Sequence, residues 1–334
     1  PDVIHIFGTE YPRSYSMIEA TGPERVLTSI TGSVKRYSDH FFGGVNKQYT
    51  RYSLFRRLLR KCVPMQILSL EKEQMEYRAL YEVLAIESGK RFIGRTEWDK
   101  AFIKQYNSSA EYFLCGEILR DEFYSGVWSY TECKPHRIFV NNGGYPIKGL
   151  HYLLRALPFV IQKYPDVEVY IAGNDMLFRK SSIKQLAIRS LDDYSRCLFD
   201  LCKKNNILSH VHFTGPLNAA EMKEQYLACE VFVLPSVIEN SPNSLGEAMI
   251  LGVPCVAANV GGVSDMCRDK EEVYLYPHDE YYMLAHYILK IFDAEGNLGK
   301  MTTRAKEHAC ELYSPIINIE KLIDIYSKTN SEYE

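Results

Sequence analysis

Two glutamates in the second half of the chain have the residue types and the spacing to do chemistry. Glu239 and Glu247 stand eight residues apart, with Ser241-Pro242 between them. Pro242 suits the first position of a helix and Ser241 the capping position before it, so the backbone N–H groups that follow are expected to be free. Free N–H groups at the positive end of a helix dipole bind anions. The pattern therefore predicts an anion site framed by two carboxylates.

An alternation of strands and helices must position these residues. Buried parallel strands read as continuous apolar runs, and ligands bind beyond their carboxyl ends. Glu239 follows one such run at 231–234. The pattern predicts strands at 137–140, 167–172, 211–214, 231–234 and 253–257, with helices at 149–163, 184–205, 219–228, 243–251 and 281–292. We interpret residues 135–312 as one doubly wound, Rossmann-like α/β domain.

The first part of the chain shows a shorter alternation of the same kind. It predicts strands at 3–7, 25–30, 92–93 and 112–114, with helices at 49–62, 71–87 and 98–106. Residues 1–130 are therefore interpreted as a second Rossmann-like domain, and the boundary is placed in the polar stretch 125–135. The segment 313–330 contains an amphipathic helix at 315–328, which must bury its apolar face. We expect it to dock back on the N-terminal domain.

Composition excludes several classes of protein. The formal net charge of -3 gives no basic field, so nucleic acid is not an expected partner. The sequence has no apolar run of membrane-spanning length and no signal-peptide pattern at its start, which predicts a cytoplasmic protein. Nine scattered cysteines without a CxxC pair fit a reducing compartment, and no metal site is predicted.

The segment around the two glutamates resembles a known signature. It contains Glu239, Glu247-Ala248-Met249, Gly252, Pro254 and the turn Gly261-Gly262. Earlier landmarks are Lys148-Gly149 at the start of a long helix, then Gly173, Gly215 and Leu234-Pro235-Ser236 after strands. The chain is similar to the family 4 retaining glycosyltransferases, strongly from 136 to 290 and weakly before. The resemblance implies the GT-B fold, in which two Rossmann-like doubly wound domains face each other.

The resemblance also implies an activity and a role for each residue. We expect transfer of a sugar, with retention, from a nucleoside-diphosphate sugar to a glycan or lipid-linked acceptor in surface polysaccharide or glycoconjugate synthesis. Glu239 matches the catalytic carboxylate that contacts the transferred sugar; whether it acts as nucleophile, electrostatic support or positioner stays open. Glu247 matches the carboxylate that binds the ribose. The expected donor-binding residues are Lys148, Asn240, Ser241, Asn243, Ser244, Leu245 and Glu247, with no metal or other cofactor.

The acceptor side is less marked. Glu10, Tyr11 and Arg13 follow a strand of the first domain, and Thr31 stands where the family usually has a histidine. We expect these four residues to face the acceptor. A basic run with apolar neighbours predicts peripheral contact with an anionic membrane at its inner face, although a solvated basic surface fits too. Its basic residues are Lys47, Arg51, Arg56, Arg57, Arg60 and Lys61.

Two departures from the family pattern leave other functions open. Gly143 stands where most members have an arginine that binds the donor diphosphate together with Lys148. The family also begins with a strand, a glycine-rich turn and about two further βα units before the segment that resembles residues 3–8, so the N-terminal domain is expected to be incomplete. The alternatives are a sugar-nucleotide epimerase of the same fold and a non-catalytic sugar-nucleotide-binding module.

Overall fold

Two parallel β-sheets, each in its own lobe, organise the computed structural model, which describes residues 1–51, 54, 58, 66–177, 192–294 and 298–331. The N-terminal sheet has the order β1-β2-β3-β4, with all neighbours parallel. Its strands are β1 (Ile4–Phe7), β2 (Val26–Ser29), β3 (Arg91–Gly94) and β4 (Glu111–Leu114). Its helices are α1 (Pro12–Thr21), α2 (Val34–Asp39), α3 (Lys47–Thr50), α4 (Leu68–Ser88) and α5 (Glu97–Tyr106).

The C-terminal sheet has six parallel strands in the order β10-β9-β8-β5-β6-β7. They are β5 (Arg137–Val140), β6 (Glu168–Ile171), β7 (Val211–Phe213), β8 (Val231–Leu234), β9 (Cys255–Ala258) and β10 (Tyr274–Tyr276). The chain runs outward from β5 to β7, returns to β8 beside β5, and then runs outward on the other side. The neighbours β5 and β8 therefore form the switch point where ligands bind in doubly wound sheets.

Helices cover both faces of this second sheet. The helices of this part of the chain are α6 (Leu150–Ile161), α7 (Asp193–Lys204), α8 (Ala219–Ala228), α9 (Asn243–Leu251), α10 (Val263–Met266), α11 (Tyr281–Phe292), α12 (Leu298–Leu312) and α13 (Pro315–Ser331), of which α13 packs on the other lobe. The central strands β5, β8 and β9 are buried along their whole length, because helices pack on each side. The predicted α/β alternation is confirmed.

Some elements differ from the sequence prediction. Strand β9 begins at Cys255 rather than at residue 253. Helices α1, α2, α10 and α12 and strand β10 were not predicted. Strand β10 has three residues, and the buried side of α12 carries Ala305 and Ala309, whose small side chains give a weak periodic signal. Most of the predicted helix at 49–62 and residues 184–191 of the helix predicted at 184–205 lie outside the described residues.

The last helix ties the two lobes together. α13 follows α12 of the C-terminal lobe, yet its Ile325 packs with Leu27 and Ile93 of the N-terminal sheet. The Tyr326 hydroxyl is 2.7 Å from Nδ1 of His5 on β1. The other ring nitrogen of His5, Nε2, is 2.7 Å from Ser29 Oγ. None of the helices in the described ranges is long and apolar enough to span a membrane.

Candidate active site

The loop between β8 and α9 holds the two glutamates. Glu239 lies in the loop and Glu247 in the second turn of α9, and both are buried, with 6% and 5% of their surface exposed. The helix begins at Asn243, with Pro242 in an extended conformation before it, and no side chain caps this end. The predicted cap at Ser241 is therefore wrong by one residue. The Leu245 amide already donates to the Pro242 carbonyl at 2.9 Å, which leaves Asn243 and Ser244 as the amides that point out of the helix start.

Lys148 reaches Glu239 from the loop after β5. Its ammonium is 2.6 Å from Glu239 Oε1, which also accepts a hydrogen bond of 2.7 Å from Ser236 Oγ. Burial acts to lower the pKa of Lys148, but the nearby Glu239 carboxylate outweighs it, so the pKa lies above its ordinary value. Lys148 is therefore held as a cation beside the carboxylate.

Gly149 allows this approach. It has a φ of 68°, and a Cβ at this position would lie 1.7 Å from the Pro235 carbonyl oxygen. Only glycine permits the loop after β5 to lie against the loop after β8 in this way. The Lys148-Gly149 pair in the sequence thus has a direct structural reason.

Glu247 binds an arginine that sequence reasoning missed. Arg120 donates to Glu247 Oε1 through Nε at 3.0 Å and Nη2 at 2.7 Å, and the Tyr226 hydroxyl lies 3.4 Å from Oε2. Arg120 also stacks on the ring of Phe123, 4.7 Å from its centroid. Burial raises the pKa of Glu247 in spite of this guanidinium. No local sequence signal pairs residues so far apart in the chain.

The predicted donor loop also forms the contact between the lobes. The Asn240 side chain accepts from Thr96 Oγ1 at 2.8 Å and donates to Asp99 Oδ2 at 3.0 Å. Asn243 Nδ2 donates to Glu117 at 2.7 Å, and Arg95 Nη1 reaches the Ser241 carbonyl at 3.5 Å. The Asn240 side chain therefore serves the lobe interface, and its expected contribution to donor binding is limited to its backbone.

A cavity of about 460 Å³ opens beside Lys148 and Glu239. Its opposite wall comes from α2 and α4 of the N-terminal lobe and includes Tyr37, Gln74 and Arg78. The buried carboxylate of Glu82 fixes α2, because it accepts hydrogen bonds from the Val34 and Lys35 amides at 3.0 and 2.7 Å. Burial, and after it the charge of the Glu239 carboxylate, raises the pKa of Tyr37, so this phenol stays neutral.

The residues predicted to face the acceptor form two groups. The hydroxyl of Thr31 donates to the Glu10 carboxylate, and Thr31 lines a separate cavity of about 210 Å³ with Arg95 and Glu117. In the second group, the Tyr11 ring contacts the guanidinium groups of Arg13 and Arg78, each 4.7 Å from its centroid. Thr31 is not among the residues that line the cavity of Lys148 and Glu239.

Gly143 has no room for the arginine that the family pattern would place there. A Cβ at Gly143 would lie 2.6 Å from Leu150 Cδ2 and 3.2 Å from Ile171 Cγ2. Both neighbours belong to the core of the C-terminal lobe, so a side chain could enter only by displacing packed groups. The local packing therefore explains the missing cation.

Two parallel-sheet lobes that face each other across a cleft, with the last helix returning to the first lobe, define the GT-B fold. Residues 134–294 match the family model of Glycosyl transferases group 1. The matched residues hold the whole loop from β8 to α9, with Lys148, Glu239 and Glu247. An uncharacterized glycosyltransferase from Methanocaldococcus jannaschii is 26% identical over 180 residues, which is 54% of this chain and 41% of that protein. The chain spans about two fifths of the length of the curated relatives it matches first.

Solved structures agree on the fold. Sucrose-phosphate synthase from Thermosynechococcus elongatus superposes with a TM-score of 0.71 at 17% identity, over 99% of this chain and 74% of that chain. HepE from Anabaena, solved in complex with UDP, superposes with a TM-score of 0.61 at 14% identity, over 98% of this chain and 99% of that chain.

Proposed function

We propose that this chain is a retaining glycosyltransferase that moves a sugar from a nucleoside-diphosphate sugar to a glycan or lipid-linked acceptor. The observation that carries the proposal is the meeting of Lys148 and Glu239 at the switch point beside the start of α9, with Glu247 buried one turn further along. The similar HepE structure contains UDP, which makes UDP the first nucleotide to test.

The geometry suits a leaving nucleoside diphosphate. An ammonium has three protons, and Glu239 uses one of those of Lys148, so the others can donate to phosphate oxygens. The Asn243 and Ser244 amides at the start of α9 add positive potential at the same place. Charge that develops on the diphosphate is thus met by fixed donors without a metal ion. Glu247 would accept hydrogen bonds from the ribose hydroxyls, in place of Arg120.

The transfer step follows from the position of Glu239. Its carboxylate is fixed by Lys148 and Ser236, so it can support positive charge on the reacting sugar carbon. In the retaining scheme we propose, the bond from that carbon to the phosphate oxygen breaks, the acceptor oxygen bonds to the same face, and the acceptor proton passes to the departing phosphate oxygen. This scheme fits an acceptor that enters from the cavity opposite, between Glu239 and the N-terminal lobe.

A peripheral membrane contact is part of the proposal for lipid-linked acceptors. Lys47 and Arg51, at the start of the basic run, are exposed. Synthesis of surface polysaccharide or glycoconjugates would place the chain at the inner face of a membrane, where such residues bind anionic lipids.

The test is calorimetric binding of UDP, GDP and ADP to the wild-type chain and to Glu247→Ala. We expect one nucleotide to bind in the micromolar range and to lose at least about tenfold in affinity in the variant, because an ionised hydrogen-bond acceptor is removed. Glu224→Ala, an exposed glutamate on α8, is the matched control and should bind as the wild type does.

Turnover separates the alternatives. Release of nucleotide from the matching nucleotide sugar, with sugar appearing on an added glycan, supports the transferase. A changed sugar configuration without any acceptor would indicate an epimerase. Binding without either reaction would indicate a non-catalytic module, for which the missing cation at Gly143 is the favouring observation.

A further inference from the structure

Arg78 on α4 presents an oriented guanidinium to the cavity that contains Glu239. Its Nε donates to the Glu10 carbonyl at 2.8 Å, and its guanidinium carbon lies 4.7 Å from the centroid of the Tyr11 ring. These two contacts hold the group in place. Since Arg78 lines the cavity, the two terminal nitrogens are left to donate into it.

Arg78 differs from the other charged groups of this cavity. Lys148 is neutralised by Glu239, and Glu71 accepts a hydrogen bond from Gln66 Nε2 at 3.1 Å. Within the described ranges, no carboxylate forms an ion pair with Arg78, and its Nε bond to a backbone carbonyl leaves its charge uncompensated. A half-buried cation without a counter-ion beside a reaction site is a place for an anionic ligand.

Arg13 extends the positive charge away from the cavity. Its guanidinium carbon also lies 4.7 Å from the centroid of the Tyr11 ring, and its side chain is exposed. Two guanidinium groups that both lie 4.7 Å from one ring centroid repel each other, and an anion that contacts either of them relieves this repulsion. Tyr11 is the contact that the two guanidinium groups share.

We propose that the acceptor carries an anionic group, a phosphate or a carboxylate, and that Arg78 binds it while the acceptor hydroxyl faces Glu239. The inference rests on the proposed transferase function and deepens it by naming the chemical class of the acceptor. A planar guanidinium binds two oxygens of a carboxylate or phosphate at once, which selects such groups over neutral hydroxyls. Arg13, which contacts the same Tyr11 ring but does not line the cavity, adds positive potential on this side of the lobe.

The test measures binding of three small probes by ligand-observed NMR in saturating UDP, which occupies the diphosphate site. The probes are methyl β-D-glucoside, methyl β-D-glucuronide and glucose 6-phosphate. We expect at least one charged probe to bind about fivefold or more tightly than the neutral glucoside, because its anion forms two charge-assisted hydrogen bonds. The probe that gains identifies the group, carboxylate or phosphate.

Three variants separate charge recognition from structural damage. Arg78→Gln should remove the preference for the charged probe and leave the affinity for the glucoside and for UDP unchanged. Arg78→Lys should retain part of the preference, because it keeps the charge and loses the two-pronged geometry. Arg13→Gln, at an exposed side chain, should weaken the charged probe by a smaller factor.

The proposal is overturned if no charged probe binds more tightly than the glucoside, or if the preference for the charged probe survives in Arg78→Gln. A collapse of the N-terminal lobe in that variant would weaken the neutral glucoside to the same extent, which distinguishes it from loss of charge recognition. Failure of UDP itself to bind would count against the transferase and not against the role of Arg78.

Discussion

Nζ of Lys148 and Oε1 of Glu239 lie 2.6 Å apart although the residues belong to different halves of the C-terminal lobe. Lys148 follows β5 and Glu239 follows β8, and these strands are neighbours because the chain reverses its direction of travel across the sheet between them. The contact is therefore a consequence of the doubly wound topology. The strength of this ion pair determines both the stability of the protein around the site and the charge available to a ligand.

Substitution Lys148→Met is expected to weaken UDP binding by at least about tenfold and to lower the free energy of unfolding by about 2 kcal/mol, because Glu239 is left buried without its cation. Isothermal calorimetry and urea unfolding measure the two effects. In the double variant Lys148→Met/Glu239→Gln the stability should recover, since the buried charge is gone, while UDP binding stays weak. Loss of both properties together in the double variant would contradict this account.

Nucleotide binding should depend on pH through Glu247. Burial raises the pKa of this carboxyl, so lowering the pH from 7 towards 5 protonates it earlier than an exposed glutamate. The protonated form accepts hydrogen bonds from ribose hydroxyls less well, and UDP affinity should fall as the pH falls. The Glu247→Gln variant should bind UDP about tenfold more weakly at pH 7, because it lacks the ionised carboxylate that accepts hydrogen bonds from the ribose.

The dissociation constant of UDP for Glu247→Gln, divided by that for the wild type, isolates this effect, because the phosphate groups of UDP titrate equally in both measurements. The ratio should approach one as the pH is lowered. A ratio that stays constant from pH 7 to pH 5 would show that Glu247 does not contact the nucleotide as an anion.

The sequence predicts well those parts of the site that depend on local pattern. Strand β8, helix α9 and the positions of Glu239 and Glu247 follow from apolar runs and from the residues that end them. Arg120 and Arg78 could not be predicted in the same way, because each reaches its position through tertiary contacts: Arg120 meets Glu247 127 positions away, and Arg78 meets Glu10 68 positions away. A charged residue on a helix gives the same sequence pattern whether its side chain faces bulk solvent or a cleft between two lobes.

The cap of α9 shows the limit of local rules. Ser-Pro predicts a capped helix that begins at Pro242, yet the Asn240 side chain and the Ser241 carbonyl are engaged with Thr96, Asp99 and Arg95 of the other lobe. These contacts hold the loop extended for one more residue. Tertiary hydrogen bonds thus override the local preference at the place where the lobes meet.

Asn240→Ala should destabilise the protein through this interface. Asn240 is 1% exposed, and its removal leaves the buried Thr96 hydroxyl and the Asp99 carboxylate each without one partner. The expected loss in urea unfolding is about 1–3 kcal/mol. Asn243→Ala, which removes an exposed hydrogen bond to Glu117, is the matched control and should change stability by about 0.5 kcal/mol or less. Equal effects of the two substitutions would rule out a buried interface at Asn240.

His151, at the start of α6, links the lobes in a second place and should make stability depend on pH. It is fully buried, with Nε2 2.7 Å from the Gly43 carbonyl and Nδ1 3.0 Å from the Tyr194 hydroxyl. A carbonyl only accepts, so Nε2 carries the proton and Nδ1 accepts from the tyrosine. Burial, with the help of the nearby Arg155, lowers the pKa of His151 to about 3.

The sign of the effect follows from the two end states. Above the ordinary value of 6.5 the ring is neutral in both the folded and the unfolded chain, and the stability contribution is complete. Below it, the unfolded chain gains a proton that the folded chain does not bind until the pH falls to about 3, so stability decreases steadily through this window. Between pH 7 and pH 5 the loss from this residue should be about 2 kcal/mol. The His151→Gln variant keeps a donor for the Gly43 carbonyl and does not titrate. Between pH 7 and pH 5 its free energy of unfolding should therefore fall by about 2 kcal/mol less than that of the wild type. If urea unfolding of the two proteins shows the same slope with pH, the folded chain must accept a charged ring at this position, and the hydrogen bond from Tyr194 would have to reverse.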